Sequence, residues 1–139
     1  MSVEYLALAD DIGITSEITG LDEVMVIKVA NLDLADSALH APAAGFGDED
    51  FYPDFVDKAS VLIVRLAKNH PLPDGNKRVA WVALRYFLLL NGWEWVDRPS
   101  IDGAEAAVVA IASGEWDEAR TASWLRPRIA PAETTHDRG

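Results

Sequence analysis

Pro53-Asp54-Phe55-Val56-Asp57-Lys58-Ala59-Ser60-Val61-Leu62-Ile63-Val64-Arg65-Leu66-Ala67-Lys68 decides the fold class. Phe55, Val56, Ala59, Leu62, Ile63, Leu66 and Ala67 recur at three- and four-residue spacing, the period of a helix, and form a wide apolar stripe that should face a core. Val61 to Val64 alone would suit a strand, but it lies inside a periodic stretch well beyond usual strand length, so length decides for helix. Pro53 suits the first turn of that helix, where a missing amide costs nothing. Pro71 should stop it near His70, because proline restricts the residue before it and lacks the amide that a helix interior needs.

A second helix is expected from Gly75 or Asn76 to Leu90, closing at Asn91-Gly92. Its apolar residues, among them Val79, Ala83, Leu84, Phe87 and Leu88, cover more than one face, so it is expected at the centre of an all-α bundle. Upstream, a short helix begins around Tyr5 and Leu6 and is expected to break near Gly13. Asp22 is placed to cap a helical region through Val29, and Asn31 to Leu39 continues or restarts it. Ala41 to Asp48, with two glycines and a proline, reads as a loop or flap that Phe46, Phe51 and Tyr52 are available to pin. Downstream, Trp93 to Val96 is extended. Ser100 or Asp102 caps a helix ending at Ser113-Gly114, and a last helix spans Trp116 to Leu125. The expected organisation is one helical domain over residues 1–126 and a frayed tail over 127–139.

The 139 residues are half apolar, enough for one sizeable core, and contain no cysteine, which excludes disulfides and thiolate chemistry. The N-terminus has neither a basic region nor a long apolar run, and no apolar run approaches the length of a membrane span. A cytoplasmic protein without a membrane partner is therefore expected. With 23 acidic and 12 basic residues the net charge is -11, which argues against a non-specific nucleic-acid binder. Yet Lys68, Lys77, Arg78 and Arg85 cluster along one segment, a local positive site on an acidic body.

That segment contains His70-Pro71-Leu72-Pro73-Asp74-Gly75-Asn76-Lys77-Arg78, a polar stretch between two apolar helices. The amides of Gly75, Asn76 and Lys77 would open the first turn of a helix, a position suited to phosphate. Lys77 adds a point charge and Arg78 a planar fork of donors. Asp74 has the chemistry to hold magnesium or cap the helix, and a neutral His70 that of a general base. The basic pair at this helix start opposes the helix dipole, a placement that makes sense with an anion bound. Arg65 and Arg85 read as surface or salt-bridge residues, His40 as packing, His136 as incidental, and the five tryptophans as anchors around a small core, with Trp93 and Trp95 available for a partner.

The nine-residue stretch resembles the signature loop of the Fic/Doc family, and Lys77 makes it similar to the Doc branch of that family. Asp36 to Pro42, Ala59 to Ala67, Arg78 to Gly92, and Val109 to Gly114 with Trp124-Leu125 resemble its other segments. The resemblance implies a compact helical bundle around a central buried helix, with ATP and Mg2+ as cofactors. It implies His70 as general base, Asp74 orienting phosphate or metal, Gly75 and Asn76 in the anion-binding turn, and Lys77 and Arg78 gripping phosphates. Members with glycine at the position of Lys77 transfer AMP. Those with lysine are understood to transfer the terminal phosphate to a threonine of elongation factor Tu, halting translation. Leu72 stands where phenylalanine is usual, and Gly75 follows the AMP-transferring pattern while Lys77 follows the Doc pattern. The implied partners are a protein substrate and an antitoxin whose C-terminal segment occupies a groove near the active site. A built-in inhibitory helix is not expected, since Thr19 and Glu23 have the spacing for it but Val24 breaks the pattern. The alternatives are a protein adenylyltransferase and a catalytically silent helical binding module.

Overall fold

The computed structural model, which describes residues 2–69 and 75–132, begins with α1 (Leu8–Thr19), α2 (Glu23–Val29) and α3 (Leu32–His40). A 3-10 turn (Ala41–Ala43) leads into a hairpin of β1 (Gly45–Phe46) and β2 (Glu49–Asp50), followed by α4 (Phe55–Asn69). After α5 (Asn76–Leu90) come β3 (Trp93–Trp95), α6 (Ile101–Ala112), α7 (Glu118–Leu125), a second 3-10 turn (Arg126–Arg128) and β4 (Ile129–Pro131). The fold is all-α, with only two small antiparallel strand pairs among the described residues.

The expected caps are present at the helix starts. The carboxylate of Asp22 accepts from the Met25 amide (2.8 Å), Asn31 from Leu34 (3.1 Å), and Asp117 from Arg120 (2.8 Å). Ser100 rather than Asp102 caps α6, its hydroxyl accepting from the Gly103 amide at 3.0 Å. Asp54, not Pro53, starts α4: its carboxylate accepts from the Val56 amide, and the proline lies one residue earlier. Asn31 restarts the chain as a separate α3 because Ala30, at the end of α2, is extended. At the far end of α5, Asn91 donates to the carbonyl of Glu4 (2.9 Å) and accepts from its amide (2.7 Å), pinning the N-terminal segment.

Several expectations are corrected. α1 starts at Leu8 and runs unbroken through Gly13, since a mid-helix glycine costs only about 1 kcal/mol against alanine. The central helix is α4 rather than α5. Eleven of the 15 residues of α4 are buried, and it packs against α3, α5, α6 and α7. On α5, Tyr86, Leu89 and Leu90 remain exposed. Phe46 (84% exposed) and Phe51 (62%) do not pin the hairpin. It is held instead by Asp50, which accepts from the buried ammonium of Lys58 at 3.2 Å, and by Tyr52, which donates to Glu118 at 3.3 Å. His40 is exposed and bonded to Asp36 rather than packed. The region expected to fray from Pro127 onward instead contributes β4, paired with β3 in the register Trp95↔Ile129 and Trp93↔Pro131. His136 lies outside the described residues.

Two aromatic chains tie the periphery to the core. Tyr5, Phe87, Phe55 and Trp93 stack in succession at 6.3, 5.0 and 4.6 Å, joining the N-terminal segment, α5, α4 and β3. Trp95, Trp81, Trp124 and Trp116 follow at 5.6, 6.4 and 5.8 Å, joining β3, α5 and α7. Each such contact adds roughly 0.5–1.5 kcal/mol beyond the area it buries.

Asp11 is buried (6% exposed), one of its carboxylate oxygens has no hydrogen-bond partner, and burial pushes its carboxyl up to about 6. The unfolded chain releases this proton near pH 4, so between about pH 4 and 6 folding takes up a proton and stability falls as pH rises. Above that window the buried charge costs up to about 3 kcal/mol, the free energy of a two-unit shift. The Asp11→Asn variant is therefore expected to be more stable than the parent at pH 7.5, by about 1–2 kcal/mol, and to lose that advantage at pH 4. Urea melts at the two pH values check this; a difference independent of pH contradicts it.

Candidate active site

α4 delivers the chain to Asn69, and the chain returns at Gly75 to begin α5. His70 and Asp74, expected as base and as metal or phosphate ligand, lie outside the described residues, as do Pro71, Leu72 and Pro73. Gly75, Asn76, Lys77 and Arg78 are described, and they form the N-cap and first turn of α5. Gly75 takes the left-handed conformation (φ 86°), which lets the incoming chain turn directly into the helix. It also lies against α1: a Cβ there would meet Thr19 Cγ2 at 3.6 Å and an Arg78 guanidinium nitrogen at 3.7 Å.

The electrostatics of this helix start differ from the rest of the molecule. Every other α-helix among the described residues has an acid in its first turn: Asp10 and Asp11, Glu23, Asp33, Asp57, Asp102 and Glu118. α5 has none, and Lys77 and Arg78 stand there instead, both exposed. Two cations near the positive end of a helix dipole are mutually unfavourable, by a few tenths of a kcal/mol to about 1 kcal/mol each, until an anion joins them.

Lys77 and Arg78 line a cavity of about 640 Å³ between α5, α6 and the end of α1. Arg85 and Arg98 line it too, and Glu105 is the single carboxylate among its described lining residues. None of these four cations forms an ion pair with another described residue, whereas Lys58, Arg65, Arg126 and Arg128 all do. Arg65 pairs with Glu118 (3.0 Å), joining α4 to α7, which leaves it a structural residue as expected. Arg85 is an exposed residue, one of the two roles expected for it, and it also lines the cavity. The cavity fits a phosphorylated ligand in size and in charge. Among the described residues no group of three or more His, Asp or Glu is placed to hold a metal, and the Mg2+ expectation rests on Asp74.

Trp81, Trp95 and Arg98 also line the cavity but do not stand out as site residues in the sequence. A signal was present for one of them: Trp81 follows Lys77 and Arg78 by four and three residues and precedes Arg85 by four, so all share a helix face. Trp95, at the end of β3, and Arg98, in the connection from β3 to α6, line the same cavity, and local spacing carries no information about that.

A family model described as the Fic/DOC family matches residues 8–88, which spans α1 through most of α5. A protein named Toxin Doc, from Mycolicibacterium smegmatis (strain ATCC 700084 / mc(2)155), is 38% identical over 108 residues, covering 78% of this chain and 83% of that protein.

The left-handed Gly75 sets the entry into α5, and space for a Cβ is adequate, so a side chain meets conformational strain rather than a clash. Gly75→Ala is expected to destabilise the fold by about 1 kcal/mol, and Gly75→Asn by less, because asparagine tolerates this conformation better. Denaturant midpoints of the two variants would test the order, and equal midpoints would contradict it.

Proposed function

The chain belongs to the Fic/DOC family, and from that premise we propose that it is the toxin of a toxin–antitoxin pair, transferring the terminal phosphate of ATP to a threonine or serine hydroxyl of a protein. The family's members are enzymes that move nucleotide or phosphate onto proteins. The observation that carries the finer reading is Lys77, an exposed cation in the first turn of α5 where AMP-transferring members have glycine. A lysine fills the space that glycine leaves as a bare backbone cradle and adds charge for a phosphate end.

In this reading the amides opening α5, at Gly75, Asn76 and Lys77, face the phosphates, and Lys77 and Arg78 balance their charge. Asp74 would hold Mg2+, and the metal would supply further charge compensation for the phosphates. His70 takes the proton of the attacking hydroxyl. The hydroxyl oxygen bonds to the terminal phosphorus, the bond to the bridging oxygen breaks, and ADP leaves with those electrons. The protein substrate is elongation factor Tu, by resemblance, and the consequence is arrest of translation in the cytoplasm. No helix among the described residues is long and apolar enough to cross a membrane.

The antitoxin, in this reading, lays its C-terminal segment across the groove between α1, α5 and α6, with acidic side chains toward the four cavity cations and apolar ones toward Ile18, Val82 and Val109. Occupancy there obstructs the phosphate end. A second reading, transfer of AMP, draws on Gly75, which matches the AMP-transferring pattern.

Purified protein, magnesium and translation extract, incubated in parallel with ATP labelled at the alpha or the gamma phosphate, separate these readings. Gamma label on one protein band, abolished by His70→Ala, is the expected result. Alpha label would establish AMP transfer, and no His70-dependent label from either would leave a catalytically silent binding module.

A further inference from the structure

The cavity at the start of α5 continues well past the two cations that grip phosphate. Trp81 and Trp95 both line it, stacked on each other with centroids 5.6 Å apart and planes 28° apart. Across from them α6 leaves Ile101 86% exposed and Val109 47% exposed, both lining the same space. Phosphate needs no aromatic wall, and a packing defect in a core would not carry four cations that pair with no other described residue. An aromatic and apolar chamber that opens onto a cationic end has the composition of a site for a nucleotide's base and phosphates together.

We propose that Trp81 and Trp95 form the subsite for the purine base of the nucleotide whose phosphates Lys77 and Arg78 hold. The inference rests on the nucleotide reading above and deepens it. Trp81 lies about one turn along α5 from Lys77 and Arg78, on the same face, roughly 5–6 Å further along the axis. A base at Trp81 sends the phosphate chain back toward Asn76 and Gly75, so the terminal phosphate reaches the start of α5. The orientation of ATP thus follows from where the indoles stand, and it presents the terminal phosphate for transfer. The indoles are held in advance. Trp124 packs on Trp81 at 6.4 Å, and the Arg128 guanidinium lies 5.0 Å from the Trp124 ring, so the base meets a surface that is already ordered. Ile101, on α6, lines the same space and is exposed to it.

The test compares ATP with inorganic tripolyphosphate, which carries the phosphates without the base, by calorimetric titration of the full chain with magnesium. Trp81→Leu is expected to weaken ATP binding about tenfold or more, the scale of one base–aromatic contact, and to leave tripolyphosphate binding unchanged. Lys77→Ala is expected to weaken both. Because Trp81 also packs against Trp124, Ile101→Ser provides a second variant at a site too exposed to disturb the core. It should weaken ATP several-fold and tripolyphosphate not at all. Intrinsic tryptophan fluorescence should change with ATP and not with tripolyphosphate. If ATP binding and His70-dependent transfer survive both substitutions unchanged, the base sits elsewhere and this inference falls while the proposed activity stands. If the parent binds tripolyphosphate but gains nothing from the base, or if an acidic peptide binds in a Trp81-dependent way while ATP does not, the inference is overturned. Failure of the parent to bind either phosphate ligand removes the nucleotide reading itself.

Discussion

Burial of α4 around nearly its whole circumference is the constraint from which the rest of the structure follows. A helix with apolar groups on every side cannot rest on a surface, so neighbours must cover it on all sides, and α3, α5, α6 and α7 do so. The same burial takes in Lys58, whose ammonium is 2% exposed and must be satisfied where it lies. Three partners from different parts of the chain supply this: the Pro42 carbonyl at 3.1 Å, the Asp50 carboxylate at 3.2 Å and the Tyr5 ring at 5.5 Å from its centroid. One buried cation therefore draws the turn after α3, the hairpin and the N-terminal segment onto the central helix. The hairpin residues 45–51 are all exposed, so this polar tie replaces the apolar packing that the hairpin lacks.

The placement of charge follows a similar logic of local compensation on an acidic body. Acids occupy the first turns of the other described α-helices, where they suit the dipole, and outside the cavity Lys58, Arg65, Arg126 and Arg128 are paired. The cavity beside α5 breaks this pattern, with four cations and one carboxylate around an opening lined by indoles. The family match over residues 8–88 includes this helix start. Of the residues lining the aromatic chamber, Trp81 lies within the family match, and Trp95 and Arg98 lie beyond residue 88, where that match ends.

Periodicity alone determined that the chain is helical, where its main helices lie, and that the one polar break between apolar helices falls at residues 70–78. Those are local properties: a stripe at helical spacing, a capping side chain such as Asp22 or Asn31 and a proline are each legible within a few residues. Local patterns also identified Gly75, Asn76, Lys77 and Arg78 as a helix start, since glycine, cations and the absence of an acid sit within one turn. Which helix lies at the centre was a tertiary matter. The apolar residues of α4 and α5 are comparably dense, and only packing against α3, α6 and α7 buries one on all sides while Tyr86, Leu89 and Leu90 stay exposed on the other. Pairing of Ile129–Pro131 with Trp93–Trp95 likewise joins residues more than thirty positions apart, which no local composition announces. The cavity was decided in the same way. Lys77, Trp81 and Arg85 share a helix face and could be read from spacing, but Trp95, Arg98 and Ile101 reach them only because α6 folds back against α5.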